Sequence, residues 1–483
     1  MTNDLQATST TAGHDFLALA CDAFTSSTTF FDASIRAAVE AALRQFQGVH
    51  PQGSKYYTDV YRARSRLFRP KTRTSVRKNE AVASEAFFST NDVVDISAED
   101  EDNPIQRASA AVKNSLLNYR LRKSIPWFQI LIGAYQDAQV TGTCVSYQYW
   151  NYNARKGIDK PCIDLRPLEN VRIDPGADWA DPINTSPYII DMIPMRVMDV
   201  KSRMRNTDPT TGQPRWFPLD DGKIMAAQQS YSDTTRQTRE RNRTDSKDQS
   251  NQINEFAIVW VHRVIMEIDG EDMVYYTLGT HALLSKPVPI KQAYWHGKRP
   301  YVMGTCVIET HKIYPDGPVG ISKDVQAEIN EVTNQRIDNV KFAMNKRYFV
   351  KRNQQVDIRS LVRNVPSSVT MMNNPKEDVM VQETNDVTAS AYQEQDRLNL
   401  DFDDVTGSFS QASVNSNRKL NETVGGLKLL TNDANQMGAY QLKTFVETWV
   451  EPVLGQLLLL EQHYETDALA LQLASKEAAK LMQ

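Results

Sequence analysis

Residues 316–350 carry the most regular spacing of apolar and polar positions in the chain. After a hinge at Gly317 and Pro318, apolar side chains recur every three or four residues, with one step of five. They are Val325, Ile329, Val332, Ile337, Val340 and Met344. This spacing predicts a helix over 322–346 with one narrow apolar stripe and a very polar remainder. Ser322 stands at the N-cap position of that helix.

Upstream of this helix, helical and strand-like patterns alternate, which predicts an α+β fold with small sheets. The predicted helices are 16–47, 105–123, 126–141 and 198–204. The predicted strands are in "DVVDIS", "GTCVSYQYWNY", Cys162–Asp174 and Pro187–Pro194, followed by a hairpin that turns at Asp269-Gly270. Residues 206–254 are polar, with too few apolar side chains to fold alone, and we expect them to be mobile.

Downstream, short strand-like pieces are followed by two more helices. The strand-like pieces are "YFVK", "SVTMM" and "DVMVQ". A polar helix is predicted over 389–405 and a very long one from Asn421, which Pro452 bends or breaks.

The composition is that of an ordinary globular protein rather than a strongly basic nucleic-acid-binding one. With 483 residues the chain is expected to form two or more subdomains, and its formal net charge is −4. The four scattered cysteines include no CxxC pair, which indicates a reducing compartment without a disulfide framework. No apolar run approaches the roughly 18 residues that span a bilayer, so no membrane partner is predicted.

No motif in the sequence builds a credible active site. GxxxxGK[ST], HExxH, GxSxG and GxGxxG are all absent, so we predict no catalytic residue, no metal ligand and no cofactor. The acidic run Asp401–Asp404 either holds a hard cation or is a solvated helix tip, and the second interpretation is favoured. The basic run 62–73 ("RARSRLFRPKTR") either contacts phosphates, forms a solvated face or pairs with acids of a neighbour.

Five segments, read in order, resemble the tailed-phage portal (head–tail connector) family, most closely the portals of short-tailed phages. They are "RKNEAVASEAFFSTNDVVDISAEDEDN", "NYRLRKSIPWFQILIGAYQDAQVTGTCVSYQYW", "LRPLENVRIDPGADWADPINTSPYIIDMIPM", "YPDGPVGISKDVQAEINEVTNQRIDNVKFAMNKRYFV" and "TGSFSQASVNSNRKLNETVGGLKLL". Together they cover most of 57–463. The polar insert 206–254 departs from the family pattern, and no large C-terminal crown or barrel is recognisable.

The resemblance implies a portal fold with interleaved wing, stem and clip domains, mainly helical with small mixed sheets, assembled as a ring. The implied divisions are a flexible leader (1–13), the first part of the wing (14–310), the hinge and first stem helix (311–346), the clip (347–388), the second stem helix (389–406), a channel loop (407–420), the long wing helix (421–463) and a C-terminal helical segment that starts a crown (464–483).

The resemblance also implies function and partners. A non-enzymatic twelvefold ring at one capsid vertex would pass double-stranded DNA during packaging, retention and ejection. Its partners would be the large subunit of terminase, then a head–tail adaptor, with the major capsid and scaffold proteins around it. The protein would occur in the virion and, during assembly, in the host cytoplasm. Another structural virion component, such as a head-completion or scaffold-binding protein, is the alternative.

Three groups of candidate functional residues follow from this reading. The channel-facing candidates are Asn415, Asn417, Arg418 and Lys419, of which the two basic residues equally suit an exposed first turn of the wing helix. The clip candidates, which would face terminase or adaptor or neutralise acids between subunits, are Lys346, Arg347, Lys351, Arg352, Arg359 and Arg363. The candidates for stem packing are Val325, Ile329, Val332 and Val340.

Overall fold

The structure is a computed structural model, and it describes most of the chain outside one long gap. The described residues are 10–11, 14–88, 93–98, 100, 102–153, 156–207, 214–230, 234–240, 253–345, 347–352, 356–363, 369–372, 374, 377–382, 388–406, 437–466, 472 and 476.

Helices make up the larger share of the described residues. They are α1 (Phe16–Phe30), α2 (Arg36–Gln47), α3 (Lys71–Phe88), α4 (Pro104–Tyr119), α5 (Trp127–Thr141), α6 (Pro182–Thr185), α7 (Val197–Arg205), α8 (Asp221–Ser230), α9 (Thr234–Glu240), α10 (Ile290–Ala293), α11 (Pro318–Ile321), α12 (Lys323–Met344), α13 (Ile358–Arg363), α14 (Thr388–Thr406), α15 (437–445) and α16 (Glu451–Tyr464). Single π-helical turns at Phe31–Ile35, Arg120–Ser124 and Val446–Val450 extend α1, α4 and α15.

The strands are short and all of their pairings are antiparallel. They are β1 (Thr10–Thr11), β2 (His14–Asp15), β3 (Thr143–Asn153), β4 (Ile158–Arg166), β5 (Val171–Ile173), β6 (Tyr188–Arg196), β7 (Ile258–Ile268), β8 (Glu271–Leu278), β9 (Ala282–Leu283), β10 (Val288–Pro289), β11 (Tyr301–Thr305), β12 (Tyr348–Val350) and β13 (Val379–Val381). The sheets run β10-β8-β7-β6-β5 with β9 beside β8, then β11-β3-β4, β12-β13 and β1-β2. Helices with small antiparallel sheets agree with the predicted α+β class.

The largest sheet is buried on both faces. Side chains alternate along a strand, so the adjacent residues Ile189 and Ile190 of β6 point to opposite faces, and both are fully buried. Ile189 joins a core that includes Val39 of α2, and Ile190 joins one that includes Phe16 of α1. The predicted hairpin is present, with positive φ at Asp269 (53°) and Gly270 (80°), as a two-residue turn of this hand requires.

The second sheet packs against α5 and the last described helix. Trp127 of α5 stacks on Trp449, with ring centroids 5.9 Å apart. Gly304 of β11 lies so close to Trp449 that a Cβ atom would overlap the indole side chain. This core is therefore closed by residues from both halves of the sequence.

The described parts of the polar insert 206–254 form two helices that pack against the rest of the chain. Trp216 and Ile224 are buried in a cluster with Val259 of β7, and α9 lies against α2. Arg239 of α9 is bound to Asp137 (2.7 Å) and Glu169 (2.8 Å). The insert does not fold alone; its described parts fold because the rest of the chain supplies the apolar and acidic partners.

Three other local predictions differ from the structure. The described residues 369–372 of "SVTMM" form no strand. No strand forms at 93–98, because the amides of Val93 and Val94 donate to the side chain of Asn118 instead. Ser322 precedes α12 but its hydroxyl caps no amide there; it donates to the carbonyl of Val319.

The hinge before α12 is pinned by a contact between two glycines. Gly142 ends α5 with φ of 85°, and the chain at Gly317 passes directly over it. A Cβ atom on Gly317 would lie 2.6 Å from the carbonyl oxygen of Gln139. This contact fixes the point at which α12 leaves the α+β cores.

Candidate functional site

The helix pair α12 and α14 meets along a small apolar seam. We define the apolar seam as Val325, Ile329 and Val332 of α12 with Leu398 and Phe402 of α14. Its centre is dry, since Ile329 and Phe402 are fully buried. Three of the four residues predicted to pack therefore lie together, against a helix of the same chain. The fourth, Val340, lies outside the seam with 39% of its side chain exposed.

A second face of α12 is polar and also buried. We define the polar ladder as Gln326, Asn330, Asn334 and Asp338, four side chains at intervals of four residues. They bind the backbone of residues 64–72, a segment that is extended up to Pro70 and whose last two residues begin α3. The amides of Ser65, Leu67, Arg69 and Thr72 donate to Asp338 (2.8 Å), Asn334 (2.7 Å), Asn330 (2.8 Å) and Gln326 (3.1 Å) in that order.

The ladder works because two geometrical repeats nearly coincide. Four residues of an α-helix rise about 6.0 Å, and two residues of an extended chain about 6.6 Å. The ladder side chains therefore meet every second amide at Ser65, Leu67 and Arg69, and the last step, to Thr72 in the first turn of α3, is three residues. Asn334 and Gln326 also return a hydrogen bond, to the carbonyls of Leu67 (2.8 Å) and Arg69 (2.7 Å). The predicted polar remainder of α12 is thus partly an internal packing surface.

The ladder was missed by sequence reasoning that followed only apolar residues. A polar signal was present, because three amide side chains and one carboxylate recur with helical spacing from Gln326 to Asp338. Its partner segment has no such pattern, since the ladder binds backbone groups that every residue carries.

The apolar seam and the polar ladder lie on well-separated sides of α12. Successive helical residues turn by about 100°, which places the two faces roughly 130–150° apart around the axis. The segment 64–72 and α14 therefore flank α12 from different sides. They approach at one end, where Lys71 binds the buried carboxylate of Asp403 at 3.0 Å.

Asp403 changes the interpretation of the acidic run 401–404. The run was expected to be a solvated tip, but Asp403 is only 1% exposed and its partner is a lysine of its own chain. Phe402 is buried in the apolar seam. Asp401 and Asp404 remain exposed. In the described part of the chain, no group of three or more His, Cys, Asp or Glu residues is arranged to hold a metal ion.

Apart from Lys71, which binds the buried Asp403, the basic run 62–73 presents most of its charges outward while its backbone is held by the ladder. Arg62, Arg64 and Arg66 are exposed, and we call these three residues the basic strip. Nearby, Lys55 donates to the carboxylate of Glu331 of α12 at 2.7 Å, and this hydrogen bond raises the pKa of the lysine.

Beyond α12 the chain forms the two-stranded sheet β12-β13, where most clip candidates lie. Arg347, Lys351, Arg352 and Arg359 are exposed. Arg363 is the last residue of α13, and Lys346 lies outside the described residues.

Two acids that were candidates for neutralising this basic rim are occupied within their own chain. Asp378 is buried and accepts the amide of Asn374 at 3.0 Å, and Asp357 caps α13 by accepting the amides of Arg359 (3.1 Å) and Ser360 (3.3 Å).

The same region exposes an unusual number of large apolar side chains. They are Phe349, Val350, Ile358, Val369, Met371, Met380 and Val381. Exposed apolar side chains in such number, on and around a two-stranded sheet, are typical of surfaces that contact other protein chains.

The channel-facing candidates Asn415, Asn417, Arg418 and Lys419 lie outside the described residues, as does the loop that carries them. Within the described helices, none is both long enough and apolar enough to cross a bilayer.

A polar helix pair with a small seam, followed by an exposed apolar sheet, is typical of a structural protein that assembles through its surfaces. Comparison with known families identifies which one. The family model described as phage SU10 portal protein matches residues 152–479. Because the match covers more than half of the chain, the protein belongs to this phage portal family, and the predicted resemblance is confirmed. No curated protein matches the chain.

Proposed function

We propose that the protein is a non-enzymatic portal: a ring-shaped conduit at one capsid vertex that passes double-stranded DNA during packaging, retention and ejection. The family match carries this proposal. In this reading α12 and α14 form the stem, and β12, β13 and α13 form the clip.

The helix pair supports assembly into a ring. Its seam holds only five apolar side chains along 22 residues of α12, which is little burial for a helix pair that stands alone. Neighbouring copies in a cyclic arrangement would cover the remaining surface, since one heterologous contact repeated around an axis closes a ring. The exposed apolar side chains of the clip would be covered in the same way.

Charge supports passage of DNA rather than tight binding. Twelve chains of −4 give a ring of −48, which does not trap a polyanion. Arg418 and Lys419 of the channel loop are proposed to contact phosphates lightly. Replacing each by Ala should reduce the salt-dependence slope of DNA binding by about one.

The exposed basic residues of the clip are proposed to receive terminase and later the head–tail adaptor. Lys351→Glu with Arg352→Glu should abolish capture of the terminase large subunit while leaving assembly intact. Lys156→Glu, an exposed reversal at the β3–β4 turn, is the control. Unchanged capture by the double variant would remove these residues from the docking surface.

The central test is native mass measurement with negative-stain imaging of the purified chain. Twelve chains of 54.8 kDa would form a ring of about 658 kDa with a central hole. A stable monomer with nuclease or ATPase activity would refute the proposal.

A further inference from the structure

The basic strip is a charged surface that has no ion-pair partner among the described residues of its own chain. In the described residues, Arg62, Arg64 and Arg66 make no ion pair, and Arg64 lies over the ring of Tyr61. Exposed basic residues continue onto α3 at Arg73, Arg77 and Lys78. Arg77 is paired with Glu80 at 2.5 Å, whereas Arg73 and Lys78 make no ion pair among the described residues, so this part of the surface has an excess of positive charge although the whole chain is slightly negative.

The strip is held in place before any partner arrives. The polar ladder fixes the backbone at Ser65, Leu67 and Arg69, so Arg66, between two bonded amides, and Arg64, next to one, project from a constrained segment. Lys341 adds a hydrogen bond to the hydroxyl of Ser65 at 2.6 Å. A surface ordered in advance loses less conformational entropy on binding, which favours a specific contact over diffuse attraction.

The opposite side of the helix pair carries the complementary charge. The inward face of α14 is defined by its buried residues Gln395, Leu398, Phe402, Asp403 and Thr406. With about 100° per residue, the outward face contains Glu394, Arg397, Asp401 and Asp404, all exposed. In the described residues its three acids make no ion pair, so this face carries a net negative charge.

The two charged surfaces flank α12 from different sides, as the separation of ladder and seam requires. A surface and its complement on different sides of one chain generate a head-to-tail contact, which closes into a ring when repeated with the right rotation. Building on the proposed ring, we infer that the basic strip of one copy docks on the acidic outward face of α14 in the next copy. The ladder acts in this contact as the positioning device for the arginines.

The charge pattern favours a second copy over DNA as the occupant. DNA on the basic strip would leave the acidic face uncovered, whereas a head-to-tail neighbour satisfies both surfaces at once. Like charges brought together at such a contact cost several kcal/mol, so charge reversal is a sharp probe.

The test uses two double reversals in the full-length chain. Arg64→Glu with Arg66→Glu changes the strip, and Glu394→Lys with Asp401→Lys changes the α14 face. Each should raise the protein concentration needed for ring formation about tenfold or more. Lys123→Glu with Lys156→Glu, exposed residues away from both surfaces, is the control matched in net charge to the strip variant and should assemble as the wild type does.

Two rescue experiments separate the inference from misfolding. A chain with all four reversals has an acidic strip and a basic α14 face, so it should form rings again. A one-to-one mixture of the two double variants should also form rings, in which the variants alternate. Native mass spectrometry reads both, because the alternating ring has a mass between those of the two pure rings.

The outcomes distinguish this inference from the portal proposal. Wild-type protein that forms no ring refutes the portal proposal itself. If the wild type forms rings and the double variants assemble equally well, only the inferred contact between the basic strip and the α14 face is overturned. The same holds if the double variants are impaired and neither rescue restores them. Normal rings with weakened binding of a double-stranded DNA fragment by the strip variant would assign the strip to DNA and likewise overturn it.

Discussion

Asn334 is the residue at which the polar ladder is tested most directly. Its side chain is 4% exposed, accepts the amide of Leu67 at 2.7 Å and donates to the carbonyl of the same residue at 2.8 Å. Asn334→Leu preserves approximate size but removes both hydrogen bonds. Each bond contributes about 0.5–1.5 kcal/mol, and each buried group left unpaired costs about 1–3 kcal/mol. Because the Leu67 side chain is half exposed, water recovers part of this, and we expect a loss of about 2–3 kcal/mol.

Native-state hydrogen exchange is the appropriate assay, since it reports local opening in a protein of several subdomains, where a single unfolding free energy is poorly defined. The amides of Leu67 and Arg69 should lose roughly 30- to 150-fold of their protection, with smaller changes in α5. Gln335→Leu is the control, because the side-chain amide of Gln335 is exposed and, among the described residues, donates a hydrogen bond only to Glu331. Equal exchange at Leu67 in the two variants would show that the ladder does not hold the segment.

Four further predictions concern the seam, the hinge, the second core and a buried charge cluster. Val332→Asp places a charge in the apolar seam and should impair ring formation while the circular dichroism spectrum stays near that of the wild type. Val340→Asp, at an exposed position of the same helix, should assemble normally. Equal assembly of the two variants would show that the seam is not needed for the ring. Gly317→Ala should lower the melting temperature, because the added methyl group meets the carbonyl oxygen of Gln139. Gly270→Ala is the comparison, since its methyl group meets no atom within 4 Å and only strains the turn. A melting temperature of Gly317→Ala equal to that of the wild type would show that the hinge is not fixed by this contact. Gly304→Ala should reduce stability by displacing Trp449 from Trp127, which the near-ultraviolet circular dichroism of the tryptophans would report, and an unchanged spectrum would contradict it. Burial raises the pKa of Glu461, which is bound to Arg120 at 2.9 Å, to about 9 from an ordinary 4.5. The folded state therefore keeps a proton that the unfolded state releases, and the contribution of Glu461 to stability falls as pH rises between those two values. Glu461→Gln should flatten this part of the profile of melting temperature against pH, whereas the exposed Glu451→Gln should not, and identical profiles for the two variants would refute the assignment.

The sequence by itself determined the elements whose signal is local. Periodic apolar residues were enough for α12, for α14 and for the β7-β8 hairpin with its Asp-Gly turn, because helix and strand repeats and turn chemistry are written in neighbouring residues. The order of five weak motifs was enough for the family. The helices described within the insert 206–254 were not predicted, because the insert has few apolar residues of its own. These helices depend on Val259 and Glu169 from elsewhere in the chain.

Only the tertiary structure decided what the polar positions do. Whether Asn334 faces solvent or a backbone amide depends on a segment more than 250 residues away, and no local rule connects them. The same holds for Asp403, which looks like a solvated acid until Lys71 is placed beside it. The spacing of apolar residues along a helix or strand predicts which face is buried, whereas a polar residue is buried only where a specific partner satisfies it, and that partner is fixed by the fold.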